Sequence, residues 1–234
     1  MKLSALGTRL SAAALIVSLP VMAACARDGN AQTPELQAVV RDDTASVARL
    51  LQAVRGSDPF LCELAVRQVD QHGWWSNWGP LGSNPLELDS TSAALIVWTQ
   101  RKHNDPAVVP RLRAAMRDPD GCVRRVAGSF LGRVDHPNAV AALLAALDDE
   151  NAETRNVAAI GLGLGEDDMR PASVIEPLVR RLRDDSPRVR RSAAWALGAL
   201  EAAGASSALI DALQRDTDPR VRQAAAWALG QLKD

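Results

Sequence analysis

Apolar residues recur three and four positions apart in many short stretches of the chain, which is the spacing that places side chains on one face of an α-helix. Leu178 with Leu182 and Leu209 with Leu213 show this spacing. Segments of this kind are 108–117, 139–147, 174–182 and 208–213. The pattern predicts a chain of short amphipathic helices.

A second amphipathic segment follows each of these, and the second segments share a sequence. Segment 218–230 contains Asp-Pro-Arg-Val-Arg and then Ala-Ala-Ala-Trp-Ala-Leu-Gly, and segment 186–198 nearly restates it. The same frame recurs more loosely at 151–163 and 120–132. Glycines mark a period of 31 to 35 residues at the ends of these segments: Gly132, Gly163, Gly198 and Gly230. This period is in the range of helical solenoids, so each unit is predicted to be two antiparallel helices.

Proline and polar residues mark the predicted helix starts. Pro106, Pro137 and Pro171 stand near the start of a first helix, where a missing amide proton costs nothing. Asp or Ser precedes the second helix, as at Asp120 and Ser186, and is predicted to be its N-cap.

The recurring Asp-x-x-Pro-x-Val-Arg-x-x-Ala-x-x-Ala-Leu-Gly pattern resembles HEAT repeats of the short kind first named for phycobilisome lyases. The resemblance is strong over 105–234 and fainter before that. It implies an all-α, right-handed α-α superhelix of about five full repeats and one degenerate repeat within a domain at 35–234. Segments 44–54 and 58–69 form the earliest pair. The degenerate repeat keeps 89–100 as a second helix, and a Trp-rich insertion at 73–85 replaces its first.

Acidic and basic residues recur at fixed places in this frame. In HEAT repeats such residues form a ladder that ties neighbouring units together, so the resemblance assigns that role here. The expected ladder residues are Asp118, Arg124, Asp148, Arg155, Asp184, Arg190, Asp216 and Arg222. Binding of an acidic partner is the alternative, mostly through Arg180, Arg181 and Arg183.

The N-terminus has the features of an export signal. Lys2 and Arg9 precede an apolar run at 10–17 that is too short to span a bilayer in the mature protein. Residues 21–24 lead into Cys25 and resemble the lipobox of bacterial lipoproteins, apart from Met22 where Leu is commonest. The resemblance implies a signal peptide at 1–24, lipidation of Cys25 and a polar tether at 25–34. A soluble secreted protein cut near Ala23 or Ala31 is the alternative.

The composition narrows the function classes. The chain has 27 Lys plus Arg against 28 Asp plus Glu, and loss of Lys2 and Arg9 takes its net charge from −1 to −3. Together with export, this charge excludes a nucleic-acid partner. Aromatic residues make up only 3% of the chain, whereas alanine occurs 41 times and suits closely packed helices.

Tryptophan is concentrated at two places. Trp74, Trp75 and Trp78 lie in the insertion, where they either fill the gap left by a missing helix or form a recognition loop. Trp195 and Trp227 share one repeat position on the second helices, which line the concave side of HEAT solenoids. This second pair serves packing between repeats or contact with a peptide.

No catalytic constellation, metal site or cofactor is predicted. His72, His103 and His136 each follow a second helix, where an imidazole interacts favourably with the helix dipole. Equivalent sites in adjacent repeats lie roughly 8 to 10 Å apart, too far for one shared metal ion. Cys62 and Cys122 align two repeats apart, so they are predicted not to form a disulfide.

The sequence therefore predicts a non-enzymatic scaffold that binds a protein or peptide at the bacterial cell envelope. Its expected location is the outer membrane, facing the periplasm, with the lipid on Cys25 as the membrane contact. The alternatives are a lyase-like or chaperone-like accessory factor, and an envelope-glycan binder that uses the Trp-rich loop. The partner's identity and the oligomeric state are not determined by the sequence.

Overall fold

A computed structural model of the chain describes residues 43–70, 102–165 and 172–232. The predicted signal peptide, Cys25, the tether and the Trp-rich insertion lie outside the described residues. The chain divides into two compact units, Met1–Gln100 and Arg101–Asp234.

The described part of the first unit is a pair of helices, α1 (Asp43–Ala53) and α2 (Pro59–Asp70). Their bounds agree within a residue with the predicted segments 44–54 and 58–69. Helix α1 buries one face, formed by residues three and four apart: Ser46, Val47, Leu50 and Leu51.

The described part of the second unit is four helix pairs. In chain order these are α3 (Val109–Ala115) with α4 (Gly121–Gly132), α5 (Pro137–Ala146) with α6 (Ala152–Leu164), α7 (Ile175–Arg181) with α8 (Pro187–Ala199), and α9 (Ser206–Arg215) with α10 (Pro219–Gln231). A 3-10 turn precedes three of the first helices, at Pro106–Val108, Ala172–Val174 and Ala203–Ala205. The predicted all-α solenoid of two-helix repeats is confirmed.

The second helices form a continuous layer, because α4 packs on α6, α6 on α8, and α8 on α10. Each first helix packs against the second helix of its own repeat. A leucine core fills the space between the helices. Its fully buried members include Leu112, Leu131, Leu143, Leu178, Leu197 and Leu209. Burial of one such side chain contributes about 1.5–3 kcal/mol.

Glycine and alanine allow the second helices to approach closely. A Cβ atom on Gly128 would lie 2.8 Å from the Val157 carbonyl oxygen, and one on Gly132 would collide with the backbone of Gly161. In the later repeats Gly163 lies against Ala196 and Gly198 lies against Ala228, and both alanines are buried. The high alanine content is therefore used partly at these helix contacts.

The helix starts follow the predicted chemistry with one exception. The Asp120 carboxylate accepts hydrogen bonds from the amides of Cys122 at 2.8 Å and Val123 at 3.0 Å. Pro137 is the first residue of α5, as predicted. Ser186 is the N-cap residue of α8, as predicted, but its side chain makes no capping bond. Its amide instead donates to Asp184 Oδ1 at 2.9 Å, so the repeat's aspartate orders this turn.

The prediction that Cys62 and Cys122 do not form disulfides is wrong, because both residues are disulfide-bonded. Each is also buried within its helix, with 5% and 6% of its surface exposed. The prediction assumed that a complete repeat separates them. The degenerate segment on which that assumption depends lies outside the described residues.

None of the helices in the described ranges is long and apolar enough to cross a bilayer.

Candidate functional site

One face of the second helices carries the largest exposed side chains of the second unit. Three repeat positions, three and four residues apart, lie in one stripe on each second helix. We call the twelve residues at these positions the second-helix surface. They are Cys122, Arg125 and Ser129 on α4, Glu153, Asn156 and Ile160 on α6, Arg188, Arg191 and Trp195 on α8, and Arg220, Gln223 and Trp227 on α10.

Trp195 and Trp227 stack on this surface. Their ring centroids are 6.5 Å apart and their planes differ by 12°, within the usual range for stacked aromatic pairs. Trp227 is 42% exposed, whereas Trp195 is partly covered. The pair therefore presents an indole face to solvent at the α10 end of the layer.

Each indole also packs on a glycine of the preceding second helix. A Cβ atom on Gly163 would lie 2.6 Å from Trp195 Cζ3, and one on Gly198 would lie 2.8 Å from Trp227 Cζ3. Only a residue without a side chain leaves room for these rings. The tryptophans thus serve contact between repeats, and the exposed part of Trp227 is available for a partner as well.

Three arginines flank the indoles. Arg188, Arg191 and Arg220 are exposed, and helical spacing puts them in the same stripes as Trp195 and Trp227. Arg188 pairs with Glu153 at 2.9 Å. We call Arg188, Arg191, Trp195, Arg220 and Trp227 the Trp–Arg patch.

The two earlier helices present a different face at these positions. Cys122, Ser129 and Asn156 are buried, and Asn156 Oδ1 accepts a hydrogen bond from the Ser192 hydroxyl at 2.7 Å. These positions therefore serve packing and polar contact between repeats. Among the second helices described in the second unit, α8 and α10 carry the exposed tryptophan and the exposed arginines at these positions.

Arginine and aspartate join neighbouring repeats below this surface. Arg155 binds Asp184 through Nε and Nη2, both at 2.8 Å. Arg190 binds Asp216 in the same two-pronged way, at 2.7 and 2.9 Å. The side chains are largely buried, with 13% and 3% exposed in the first pair and 15% and 7% in the second. Such paired hydrogen bonds fix both distance and orientation.

The same arginines also hold the turn of their own repeat. Nη1 of Arg190 donates to the carbonyl oxygens of Asp184 at 2.9 Å and Asp185 at 3.3 Å. Equivalent bonds come from Arg124, Arg155 and Arg222. Each ladder arginine thus satisfies carbonyl groups that the turn would otherwise leave without a donor.

Two details differ from the predicted ladder. The aspartate six residues before Arg155 is Asp149, which receives the amide of Asn151 at 2.9 Å. Asp148 is exposed on the neighbouring position and pairs with Arg181 at 2.9 Å. The partner of Asp149 is Arg117, through Nε at 2.7 Å, rather than Arg124. A one-residue error in the alignment moved the prediction to the exposed neighbour.

The ladder lowers the pKa of its carboxyl groups. For Asp216, the hydrogen bond from Arg190 is the main cause and outweighs burial, which alone would raise the pKa. For Asp184, burial is the largest single influence and raises the pKa. Hydrogen bonds from Arg155 and the Ser186 amide, with the charges of Arg155 and Arg181, together reverse it and lower the pKa. The ladder is therefore ionised at neutral pH.

A groove of about 740 Å³ runs along the first helices α7 and α9. Its basic residues are matched by acidic ones. Arg180 lies 3.6 Å from Glu176 and Arg215 lies 2.8 Å from Asp211, while Arg190 binds Asp216. Arg183 also lines the groove and is exposed. With four arginines and four acidic residues in its lining, the groove offers an acidic partner little excess positive charge.

The described histidines have structural positions. His103 is 2% exposed and lies against the ring of Phe130, with centroids 4.7 Å apart. His136 caps α5, because its Nδ1 accepts the Asn138 amide at 3.1 Å. The expected dipole contact at a helix C-terminus is therefore wrong for His136, which serves the start of the next helix. His72 lies outside the described residues. Within the described ranges, no three His, Cys, Asp or Glu residues converge for a metal ion.

The sequence analysis did not predict that the two indoles pack on Gly163 and Gly198, and it did not predict the role of Arg117. Both glycines belong to the regular glycine period, but that period indicated only where repeats end. Arg117 lies at the end of a first helix, outside the repeated Arg position, so no pattern singled it out. Of the five predicted tryptophans, Trp74, Trp75 and Trp78 lie outside the described residues, and Trp195 and Trp227 come together.

These features define an α-solenoid in which a layer of second helices is held by an arginine–aspartate ladder. The sequence matches the family profile described as HEAT repeats over residues 89–163 and 141–230. These matches cover more than half of the chain, and the chain belongs to the HEAT-repeat family. A comparison with curated proteins found no match.

Solved structures are similar to this chain. The complex of CpcE and CpcF of phycocyanin lyase from Nostoc sp. PCC7120 is similar with a TM-score of 0.51 and 19% identity, covering 80% of this chain and 99% of that chain. An engineered protein gives a TM-score of 0.44 and 21% identity, covering 95% and 87%. Human deoxyhypusine hydroxylase in complex with glycerol gives 0.44 and 23%, covering 85% and 73%.

Proposed function

We propose that the chain is a non-enzymatic scaffold that binds a protein or peptide on its second-helix surface. The observation that carries this proposal is the stacked pair Trp195–Trp227, whose outer indole is 42% exposed. Tryptophan and arginine are the residues most enriched where binding energy concentrates in protein interfaces. Stacked helices hold these side chains on rigid elements, so little conformational entropy is lost on binding.

The surface fits a partner better than a substrate. It is a face across several helices, and in the described residues no cluster of potential metal ligands lies beside it. Solenoids offer extended surfaces of this kind to other chains.

Photocrosslinking in cells of the source organism tests the scaffold proposal. A photoreactive amino acid at Gln223, which is exposed between the rows of the patch, is expected to capture a partner. The same group at Arg113, exposed on the first helix α3, is the matched control on the other helix layer. Addition of Trp227→Ala should remove the Gln223 products. Identical products at both positions, or products unchanged by Trp227→Ala, would contradict a binding role for this surface.

We also propose that the protein is exported and anchored in the outer membrane through lipid on Cys25, facing the periplasm. Support comes from the lipobox-like segment at 21–25 and from the disulfide-bonded state of Cys62 and Cys122, since disulfides persist in oxidising compartments. Two or more acyl chains give stable anchoring, because each buried methylene contributes roughly 0.8 kcal/mol.

Cys25→Ala is expected to move the protein from the membrane fraction to the soluble fraction, because the acyl acceptor is lost. Cell fractionation followed by immunoblotting measures this, with Ala26→Asp as a companion variant. That companion keeps the cysteine and should stay in the membrane fraction, with a shift towards the inner membrane in a density gradient. Membrane retention of Cys25→Ala would refute the anchor.

A lyase-like accessory factor is the second candidate. It is supported by the likeness to the CpcE–CpcF complex of phycocyanin lyase, which at 19% identity shows a shared fold. That protein is a complex of two chains, which also agrees with a protein partner for this one. The envelope-glycan alternative depends on Trp74, Trp75 and Trp78 and remains a prediction.

A further inference from the structure

We infer that the Trp–Arg patch binds an extended acidic segment of a partner protein, one that carries two carboxylates and a large apolar side chain. This inference rests on the scaffold function proposed above and names the chemistry of its partner. It depends on the charge, exposure and spacing of the residues on α8 and α10.

The patch is basic although the whole chain is not. The chain has a net charge of −1, whereas the patch carries three guanidinium groups and one of them, Arg188, pairs with Glu153. Among the described residues, no carboxylate lies within ion-pairing distance of Arg191 or Arg220. Two exposed guanidinium groups are therefore available to a ligand, and each matches a carboxylate through paired hydrogen bonds.

Two ladder arginines of the second helices are not available in this way. Arg155 and Arg190 have their Nε and Nη2 atoms on Asp184 and Asp216, and their Nη1 atoms on carbonyl oxygens of the turns. The charges of these ladder arginines are thus paired inside the solenoid, whereas the charges of the patch are exposed. This division indicates that Arg191 and Arg220 have no structural task within their repeats.

The indole pair provides the apolar part of the site. Trp227 is exposed over 42% of its surface and is backed by Trp195. Arg191 lies one helical turn from Trp195, and Arg220 lies two turns from Trp227. With a rise of 1.5 Å per residue, the guanidinium-bearing positions are roughly 6 to 10 Å along the helices from the indoles.

These spacings define the ligand. An extended peptide advances about 3.4 Å per residue, so carboxylates two or three residues from an aromatic or aliphatic side chain reach the arginines and the indoles together. The groove on α7 and α9 lacks this combination, because four acidic residues balance the four arginines in its lining and no tryptophan lines it. The second-helix surface is therefore the face that selects an acidic segment.

Fluorescence anisotropy with the purified full chain tests the inference. The probe is a labelled octapeptide with glutamates two and three residues before a phenylalanine. The comparison peptides carry lysines or glutamines in place of the glutamates. The acidic peptide is expected to bind at least tenfold more tightly than either one, and more weakly as salt increases.

Matched variants locate the site. Arg191→Gln with Arg220→Gln should weaken binding of the acidic peptide at least tenfold. Arg111→Gln with Arg113→Gln removes the same charge from the first helix α3, where both residues are exposed, and should change it less than twofold. Circular dichroism of each variant confirms that the fold is retained, and Trp227→Ala should also weaken binding.

Each contrary result has a distinct meaning. Equal affinity for the acidic and glutamine peptides, lost with Trp227→Ala, would overturn the acidic class and leave the scaffold function standing. Acidic preference unchanged by Arg191→Gln with Arg220→Gln would overturn the patch as the site. Absence of any octapeptide binding, or tighter binding of an octamer of single-stranded DNA, would overturn the inference. The in-cell crosslinks at Gln223 would then decide the scaffold function separately.

Discussion

Gly132→Ala is expected to lower the free energy of unfolding by about 3 kcal/mol, at the upper end of the usual range for an overfilled interior. The added Cβ atom would collide with the carbonyl oxygen of Gly161 on the next second helix. The carbonyl oxygen belongs to the backbone and the position of a Cβ atom is fixed by its own backbone, so no side-chain rotation relieves the collision. Relief requires α4 and α6 to move apart, which opens contacts along the whole interface.

Gly198→Ala tests the same principle at a later repeat. Its Cβ atom would lie 2.6 Å from Ala228 Cα and 2.8 Å from Trp227 Cζ3. A shift of the indole relieves part of this contact, so the expected loss is smaller, about 2 kcal/mol. The change should also alter the exposure of Trp227, which links stability to the proposed binding surface.

Gly230→Ala is the matched control, because Gly230 occupies the same repeat position and no atom lies within 4 Å of its added Cβ. Alanine favours helix over glycine by up to about 1 kcal/mol, so this variant should be neutral or slightly more stable. Urea unfolding followed by far-ultraviolet circular dichroism measures all three. Equal midpoints for Gly132→Ala and Gly230→Ala would contradict the close approach of α4 and α6.

Arg190→Met is expected to cost about 3 kcal/mol, the low end for breaking a buried ion pair, because both partners keep slight exposure. Methionine retains the apolar stem of the side chain but removes the bonds to Asp216 at 2.7 and 2.9 Å. It leaves the Asp216 carboxylate, only 7% exposed, without its cation. The carbonyl oxygens of Asp184 and Asp185 lose a donor as well.

Arg222→Met separates these two effects. Arg222 makes the same bonds within its own turn, to the carbonyl oxygens of Asp216 and Thr217 at 2.8 and 3.2 Å. In the part of the chain that the structure describes, it makes no bond to an aspartate of another repeat. Its replacement should therefore cost only about 1 kcal/mol. Equal losses for the two variants would show that the bond between repeats adds nothing to the turn bonds.

The ladder also determines how the stability of the protein changes at acidic pH. The pKa of Asp216 is below its ordinary value of 3.8, so its contribution to stability is present above about pH 4 and is lost as pH falls through the lowered value. Arg190→Met removes the main cause of that lowering and leaves burial, which raises the pKa. Acid unfolding of the variant should therefore begin at higher pH than in the parent protein, as measured by circular dichroism across pH 2–7.

The sequence predicted the helices more completely than it predicted the ladder. Helix bounds followed from spacing of apolar residues and from capping chemistry, which act within a few neighbouring residues. The resemblance to HEAT repeats placed Arg155 and Asp184 in a ladder between repeats, but their bond to each other was not predicted. Asp149 was missed because Asp148 and Asp149 are adjacent acids, and only the turn geometry shows which one receives the amide of Asn151.

The tryptophan pair was likewise predicted only in part from the sequence. The shared position of Trp195 and Trp227 was visible in the alignment, yet whether they pack or face solvent was left open. The structure shows both packing and exposure. The rings pack on Gly163 and Gly198, and Trp227 keeps 42% of its surface exposed. Spacing along a chain does not measure how much of a ring a neighbouring helix covers.

The sequence by itself determined an all-α chain of two-helix repeats, because helix periodicity, caps and repeat length are local properties. Tertiary structure decided which acid completes each ladder rung, which glycines admit a neighbouring backbone, and which arginines remain outside the solenoid. It also overturned the expectation for Cys62 and Cys122, which are disulfide-bonded. These outcomes depend on distances between residues far apart in the chain, and those distances are set by how helices pack.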